Sequence, residues 1–145
     1  FGAFLPTAGA ARAECMSWLF WQMGCAPFLG GGFGHFYVYA PTKIEYAIDR
    51  FAMEVKRQLD VLDRRLAEYE YVAGPDYTIA DMACWPWIVF HERQGQSLDD
   101  FPNLKRWFET VGARKAVKAG FAMGHEKHAD LEGYQYLYGQ TSKLP

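Results

Sequence analysis

The chain has 145 residues, a common size for one domain, of which 50% are hydrophobic and 22% are charged. This composition excludes an intrinsically disordered chain, and a net charge of −2 gives no electrostatic reason to expect nucleic-acid binding. Gln22 and Gly24 interrupt the most apolar stretch, so we expect no membrane-spanning segment. The three cysteines form no CxxC pair, which favours a reduced, cytoplasmic location.

The first predicted helix covers residues 10–24, where apolar side chains recur at helical spacing. We expect it to end before Pro27, because a proline and a run of three glycines follow. Residues 28–39 are predicted to form a loop rich in aromatic rings. Because exposing so many rings to water is unfavourable, this loop is expected to pack on the rest of the chain.

The clearest periodicity runs from Thr42 to about Glu68, where apolar side chains recur at steps of three and four. This pattern predicts a helix of about 40 Å, long enough to be the central helix of the domain. Pro41 precedes it at a position where a missing N–H group costs little.

Three shorter helices are predicted downstream, over residues 78–90 with Pro86 inside, 102–111 and 113–123. The tail from Gly124 has no period and is predicted to be irregular. Since no alternating pattern indicates a strand, we predict an all-α helical bundle. The side chains expected in its core are Ile48, Phe51, Val55, Leu59, Leu62, Ile79, Met82 and Trp107.

The start of the third predicted helix has the spacing of a capping box. Thr78 is followed three residues later by Asp81, whose carboxylate can reach back to the Thr78 N–H group. Tyr77 and Met82 are spaced to form a hydrophobic staple around this box. The cap explains these residues, so we do not interpret Asp81 as catalytic.

Several kinds of site are excluded by spacing. The glycine run is followed by Phe33 and lacks the pattern of a phosphate-binding loop. His125 and His128 are three residues apart, whereas a helical zinc site needs four, so no metal site is predicted. No serine lies in a nucleophile elbow, and the cysteines lie in apolar segments typical of buried thiols. We therefore predict no catalytic residue in this chain.

Arg50 has two interpretations that the residues alone leave open. On the long helix it lies with Tyr46 on the face turned away from the apolar stripe. It is either a solvated arginine that pairs with Glu54, or a guanidinium that faces a cleft and binds a carboxylate through two hydrogen bonds.

Several longer motifs resemble one family over about residues 1–120. They are the Trp18-Leu19-Phe20-Trp21 segment, the stretch from Ala26 to Tyr37 with its three glycines, the Glu45–Phe51 segment, and Tyr77–Ala83 with Trp85-Pro86-Trp87. Together they resemble the C-terminal helical domain of cytosolic glutathione transferases, in the bacterial nu-class branch of glutathione-dependent disulfide reductases.

The resemblance implies that residues 1–7 end an interdomain linker, 8–123 form the helical domain and 124–145 form the tail. It further implies glutathione as substrate without a metal, a small disulfide or thiol as second substrate, and a homodimer. An N-terminal thioredoxin-like domain, which supplies most of the glutathione site in the family, is missing from these residues. We therefore expect the fragment alone to be nearly inactive, with Trp18, Trp21, Phe36 and Tyr37 as candidates for an exposed apolar surface.

Matching by position carries the family's glutathione-binding arginine to Arg50. Tyr46 is its companion on the same face, and Gln22, Met23 and His35 are weaker candidates. The sequence departs from the family at Gln22 and Met23, where the branch has an apolar residue and then glutamine, and at Lys115, where it has proline.

An alternative from another class is a stand-alone helical module that binds proteins, since transferase-like helical domains also have that role. A thioredoxin-like sequence upstream of Phe1 would favour the enzyme, and a start codon beside Phe1 would favour the module.

Overall fold

The computed structural model describes residues 3–127, with side chains described for all of these except residues 26, 27, 30, 31 and 124–127. Within that range the chain is helical and has no strand, so the predicted all-α fold is confirmed. The elements are α1 (Gly9–Ala26), a π-helical segment (Pro27–Tyr39), α2 (Glu45–Glu68), α3 (Ile79–Ile88), a 3₁₀ turn (Glu92–Gln94), α4 (Pro102–Gly112) and α5 (Lys115–Lys127). None of the described helices is long and apolar enough to cross a membrane.

Helix α2 is the central element, as its period predicts. Its buried side chains include Val55, Leu59, Leu62 and Leu66, which follow one another at steps of four and three. The helix begins at Glu45, three residues later than predicted, and Ile44 before it provides no side-chain cap. At 24 residues it is about 36 Å long, enough to contact both the π-helical segment and α4.

Seven of the eight predicted core side chains lie in the core or pack against it. Val55, Leu59, Leu62 and Trp107 are buried, and Ile48, Phe51 and Ile79 are half-buried against them. Met82 was predicted wrongly, since it is 37% exposed. Helix α3 buries the face that carries Ala80, Asp81, Cys84, Trp85 and Ile88. Met82 lies about 130° away from the middle of that face at 100° per residue.

The predicted loop after α1 is instead helical. The chain continues from α1 into the π-helical segment, and the Ala40 N–H group donates to the His35 carbonyl at 2.7 Å, five residues back. Phe33 is buried, and Phe36 stacks on Phe51 with ring centroids 5.5 Å apart. The prediction that these rings pack on the rest of the chain is therefore confirmed, and the packing outweighs the glycines' preference for a loop.

Asp81 holds the start of α3, and the predicted capping box is present. Its Oδ2 atom accepts hydrogen bonds from the Thr78 N–H group at 2.8 Å and the Thr78 hydroxyl at 3.2 Å. Its Oδ1 atom accepts from the Val72 N–H group at 2.9 Å and the Trp107 indole at 2.8 Å. The carboxylate, which is fully buried, thus ties α3 to α4 and to the α2–α3 connection.

Helices α2 and α4 cap one another. The Asp63 carboxylate of α2 accepts from the N–H groups of Asn103 and Leu104 at 2.8 and 2.9 Å, where α4 begins without a side-chain cap of its own. In return, Arg106 of α4 donates to the Leu66 carbonyl at 2.9 Å, in the last turn of α2. Both ends are satisfied by the neighbouring helix.

The last described helix departs from the prediction at both ends. Helix α5 begins at Lys115 and continues to Lys127, so the irregular tail predicted from Gly124 is wrong for its first four residues. The remainder of the predicted tail, including His128, lies outside the described residues.

Candidate functional site

The outer face of α2 carries Tyr46 and Arg50, the main residues of the glutathione site predicted from the sequence. Tyr46 is 82% exposed, and Met53, two turns further along the same face, is 69% exposed. The Arg50 side chain lies between them and is 56% exposed. The structure therefore places Tyr46 and Arg50 together, on a side of the helix that the core leaves open.

The Glu54 carboxylate, the expected partner of Arg50, has closer contacts with two other side chains. The Arg57 guanidinium binds the Glu54 carboxylate in a fork, with Nη2 to Oε1 at 2.6 Å and Nε to Oε2 at 3.1 Å. The amide of Gln58 donates to the same Oε1 atom at 3.1 Å. Arg50 Nη1 lies 3.9 Å from Oε2, beyond hydrogen-bond distance. The expected partner of Arg50 is thus bound by Arg57.

The pKa of Glu54 follows from these contacts. The hydrogen bond from Arg57 lowers this pKa most, and the Gln58 amide and the charge of Arg50 lower it further, against the effect of burial. Glu54 is therefore a carboxylate at neutral pH, with its charge compensated mainly by Arg57.

The two α1 candidates lie in different environments. Gln22 is buried, whereas Met23 beside it is exposed. Helix α1 packs mainly against α3, and it contacts α2 through an ion pair between Glu14 and Arg65 at 2.7 Å. At neighbouring positions of one helix, only Met23 presents its side chain to the surface.

His35 lies on the π-helical segment, half-buried, with its ring edge against Phe36 at a centroid distance of 5.1 Å. Phe36 in turn stacks on Phe51, the residue after Arg50. This chain of rings joins His35 to the first half of α2.

The thiols provide no activated nucleophile among the described residues. Cys15, Cys25 and Cys84 are all free and buried. Burial raises the pKa of both Cys25 and Cys84, which disfavours the reactive thiolate. Among the described residues, no group of three or more His, Cys, Asp or Glu side chains could hold a metal ion.

An open cleft of about 460 Å³, which the sequence did not predict, lies between the α3–α4 connection and α4. Two pairs of its polar groups contact one another, because Lys105 binds Asp99 at 2.7 Å and the His91 ring contacts the Gln96 carbonyl at 2.9 Å. Glu92 and Glu109 also line it. The lysine that lines this cleft is already paired, so the cleft offers no guanidinium or ammonium group comparable to Arg50 for binding an anion.

The surface aromatic side chains differ from those predicted. Trp18, Trp21 and Phe36 are half-buried, and only Tyr37 of the four candidates is exposed. Among the described large hydrophobic side chains, the most exposed are Tyr46 and Met53 on α2, Phe20 and Met23 on α1, and Met123 on α5.

The sequence-family model for the glutathione S-transferase C-terminal domain matches residues 21–115, which include α2, α3 and α4. The chain belongs to this family. It is 56% identical over 127 residues to the disulfide-bond oxidoreductase YghU of Escherichia coli, covering 83% of this chain and 44% of that protein. It is 41% identical over 117 residues to the disulfide-bond oxidoreductase YfcG of the same organism, covering 80% and 54%.

Solved structures of glutathione transferases have the same fold. YghU of Streptococcus pneumoniae, complexed with glutathione, superposes with a TM-score of 0.77 at 53% identity, over 83% of this chain and 49% of that one. A family member from Pseudomonas fluorescens with two glutathione molecules bound gives 0.74 at 37% identity, over 82% and 56%. The chain spans about half the length of the curated relatives that it matches.

Proposed function

We propose that this chain is the C-terminal half of a glutathione transferase that reduces small disulfides or conjugates glutathione. Two of its curated relatives are disulfide-bond oxidoreductases, and two of its structural relatives are complexed with glutathione. The described thiols are buried, and burial raises the pKa of Cys25 and Cys84, so none of them is an activated nucleophile. In this proposal the group that activates the glutathione sulfur lies in an N-terminal thioredoxin-like half. The helical domain of this chain contributes side chains that bind glutathione.

The observation that carries the proposal is the availability of Arg50. Its side chain is more than half exposed, and its guanidinium lies 3.9 Å from the Glu54 carboxylate, which Arg57 already binds. A guanidinium in this state can bind a ligand carboxylate through two parallel hydrogen bonds. Tyr46, one turn earlier on the same face, provides an exposed ring and hydroxyl beside it.

The test is Arg50→Ala in the full-length protein, with glutathione affinity measured by calorimetry. A charge-assisted pair in a partly desolvated cleft contributes about 1.5–3 kcal/mol, so we expect affinity to fall roughly 10- to 150-fold. Arg50→Lys should restore only part of the loss, because an ammonium group lacks the guanidinium fork.

The thermal midpoint serves as the control in the same variants. It should hardly change, because an exposed pair with Glu54 contributes only about 0.3–0.5 kcal/mol. Unchanged glutathione affinity in Arg50→Ala would identify Arg50 as a solvated side chain and contradict the proposal.

The same proposal includes a homodimer in the cytoplasm. Three free cysteines are consistent with a reducing compartment, and the exposed side chains of Phe20 and Met53 provide apolar area for association. Sedimentation equilibrium of the full-length protein tests the dimer, and a monomer at micromolar concentration would contradict it.

The exposed apolar side chains also favour a second candidate, a module that binds another protein. Phe20 and Tyr46 would then contact a partner other than a thioredoxin-like domain. The gene upstream of Phe1 discriminates between the two, because a thioredoxin-like sequence there supports the enzyme. Its absence would support the module.

A further inference from the structure

We propose that Arg57 is a positioning residue of the glutathione site, which keeps Arg50 available by holding the Glu54 carboxylate. The inference rests on the proposed function, in which Arg50 binds a carboxylate of glutathione. Arg57 itself does not need to touch the ligand. Its role is to occupy the one carboxylate that would otherwise compete with the ligand for Arg50.

Both arginines can reach Glu54 from their positions on α2. Arg50 is four residues before Glu54 and Arg57 three residues after it, and both spacings bring side chains together on a helix. The fork from Arg57, at 2.6 Å and 3.1 Å, is the tighter of the two pairs by more than 1 Å in its shortest contact, against 3.9 Å for Arg50.

Gln58 fixes the position of this carboxylate from the interior. Gln58 is 1% exposed, and its amide N–H donates to Glu54 Oε1, although its own carbonyl oxygen has no hydrogen-bond partner among the described residues. The Glu54 side chain is only 14% exposed. An anchored, poorly hydrated carboxylate needs a cation close by, and in the described part of the chain Arg57 and Arg50 lie within 4 Å of it.

The charges of Glu54, Arg57 and Arg50 determine how the loss of Arg57 would affect ligand binding. With Arg57 present, Glu54 is compensated and the positive charge of Arg50 remains available for an anion. Without Arg57, Glu54 would pair with Arg50, and its negative charge would also repel a ligand carboxylate. Loss of Arg57 should therefore weaken glutathione binding without removing any contact to glutathione.

The experiment is a double-mutant cycle in the full-length protein, with glutathione affinity measured by calorimetry. Arg57→Leu should weaken binding roughly 3- to 10-fold, the range of a partly exposed ion pair together with the added repulsion. In the Glu54→Gln background the same Arg57→Leu change should alter affinity less than about twofold, because no carboxylate is left to compete. Arg57→Lys should retain most of the affinity of the parent protein.

Arg64→Leu is the matched control. It removes an exposed arginine of the same helix that pairs with Asp60 at 2.7 Å, and it should leave glutathione affinity within about twofold. If Arg57→Leu does not fold, as judged by circular dichroism, Arg57→Gln replaces it in the cycle.

Two outcomes would overturn the inference. Equal weakening in both backgrounds would mean that Arg57 acts on the ligand or on the fold directly, and unchanged affinity in the parent background would mean that Glu54 does not compete. Failure of the proposed function is seen separately, in Arg50→Ala. That variant keeps its affinity only if Arg50 does not bind glutathione.

Discussion

Replacing Asp81 by alanine should destabilise the domain far more than replacing Thr78, although both belong to one capping box. The Asp81 carboxylate accepts four hydrogen bonds at 2.8–3.2 Å, from two backbone N–H groups, the Thr78 hydroxyl and the Trp107 indole. The Thr78 hydroxyl, as an acceptor, receives the Ala80 N–H group at 3.3 Å and the Asp81 N–H group of the capping box.

The expected magnitude follows from the donors left behind. Asp81→Ala leaves two backbone N–H groups and one indole N–H group in the interior without an acceptor. Each such donor costs about 1–3 kcal/mol, partly offset because a buried carboxylate is removed, so we expect a loss of about 4 kcal/mol. Thr78→Ala should cost about 1 kcal/mol through its cap alone.

Equilibrium urea unfolding, followed by circular dichroism and tryptophan fluorescence, measures both losses. If Asp81→Ala is too unstable to purify, Asp81→Asn retains the shape and one acceptor and should lie between the other two variants. The reasoning is refuted if Asp81→Ala loses less than Thr78→Ala, because the Trp107 and Val72 hydrogen bonds would then contribute nothing.

Gly32→Ala should destabilise the domain by about 1–3 kcal/mol in the same assay, because a Cβ atom there would overlap the Phe51 ring; an unchanged midpoint would show that the ring moves freely. Gln94→Ala should cost about 1–2 kcal/mol and raise hydrogen exchange in the π-helical segment, because the amide donates to the buried Leu29 carbonyl at 2.9 Å; exchange confined to the 3₁₀ turn would contradict this. Alkylation of Cys84 by iodoacetamide should remain slow in the native protein. Because burial raises the pKa of this thiol, the reaction should reach half of its maximal rate at a higher pH than in the unfolded chain. Equal alkylation rates in the native and unfolded protein would mean that the thiol is accessible.

Features that depend on nearby residues were predictable from the sequence. The stripe on α2 gave Val55, Leu59 and Leu62 as core residues, and the spacing of Thr78 and Asp81 gave the cap. Both signals are complete within about one or two helical turns. The position of Arg50 off that stripe was predictable for the same reason.

Features that depend on distant partners were not predictable. The glycines after Pro27 favour a loop, and the helical segment there depends on distant contacts, such as the stacking of Phe36 on Phe51 and the hydrogen bond from Gln94 to the Leu29 carbonyl. Similarly, sequence spacing allows Glu54 to pair with Arg50 or Arg57, and the three-dimensional arrangement with Gln58 decides for Arg57. Spacing alone does not predict which of the two arginines binds Glu54 more closely.

The mutual capping of α2 and α4 makes the folding of these two helices cooperative. Until they dock, the first N–H groups of α4 lack Asp63 and the last carbonyl groups of α2 lack Arg106, so each end frays in the absence of the other. About 40 residues separate the two members of each cap, so the loop between them must close before either end is stable. The last turn of α2 and the first turn of α4 therefore open and close as one unit, rather than at rates that reflect their separate helix propensities.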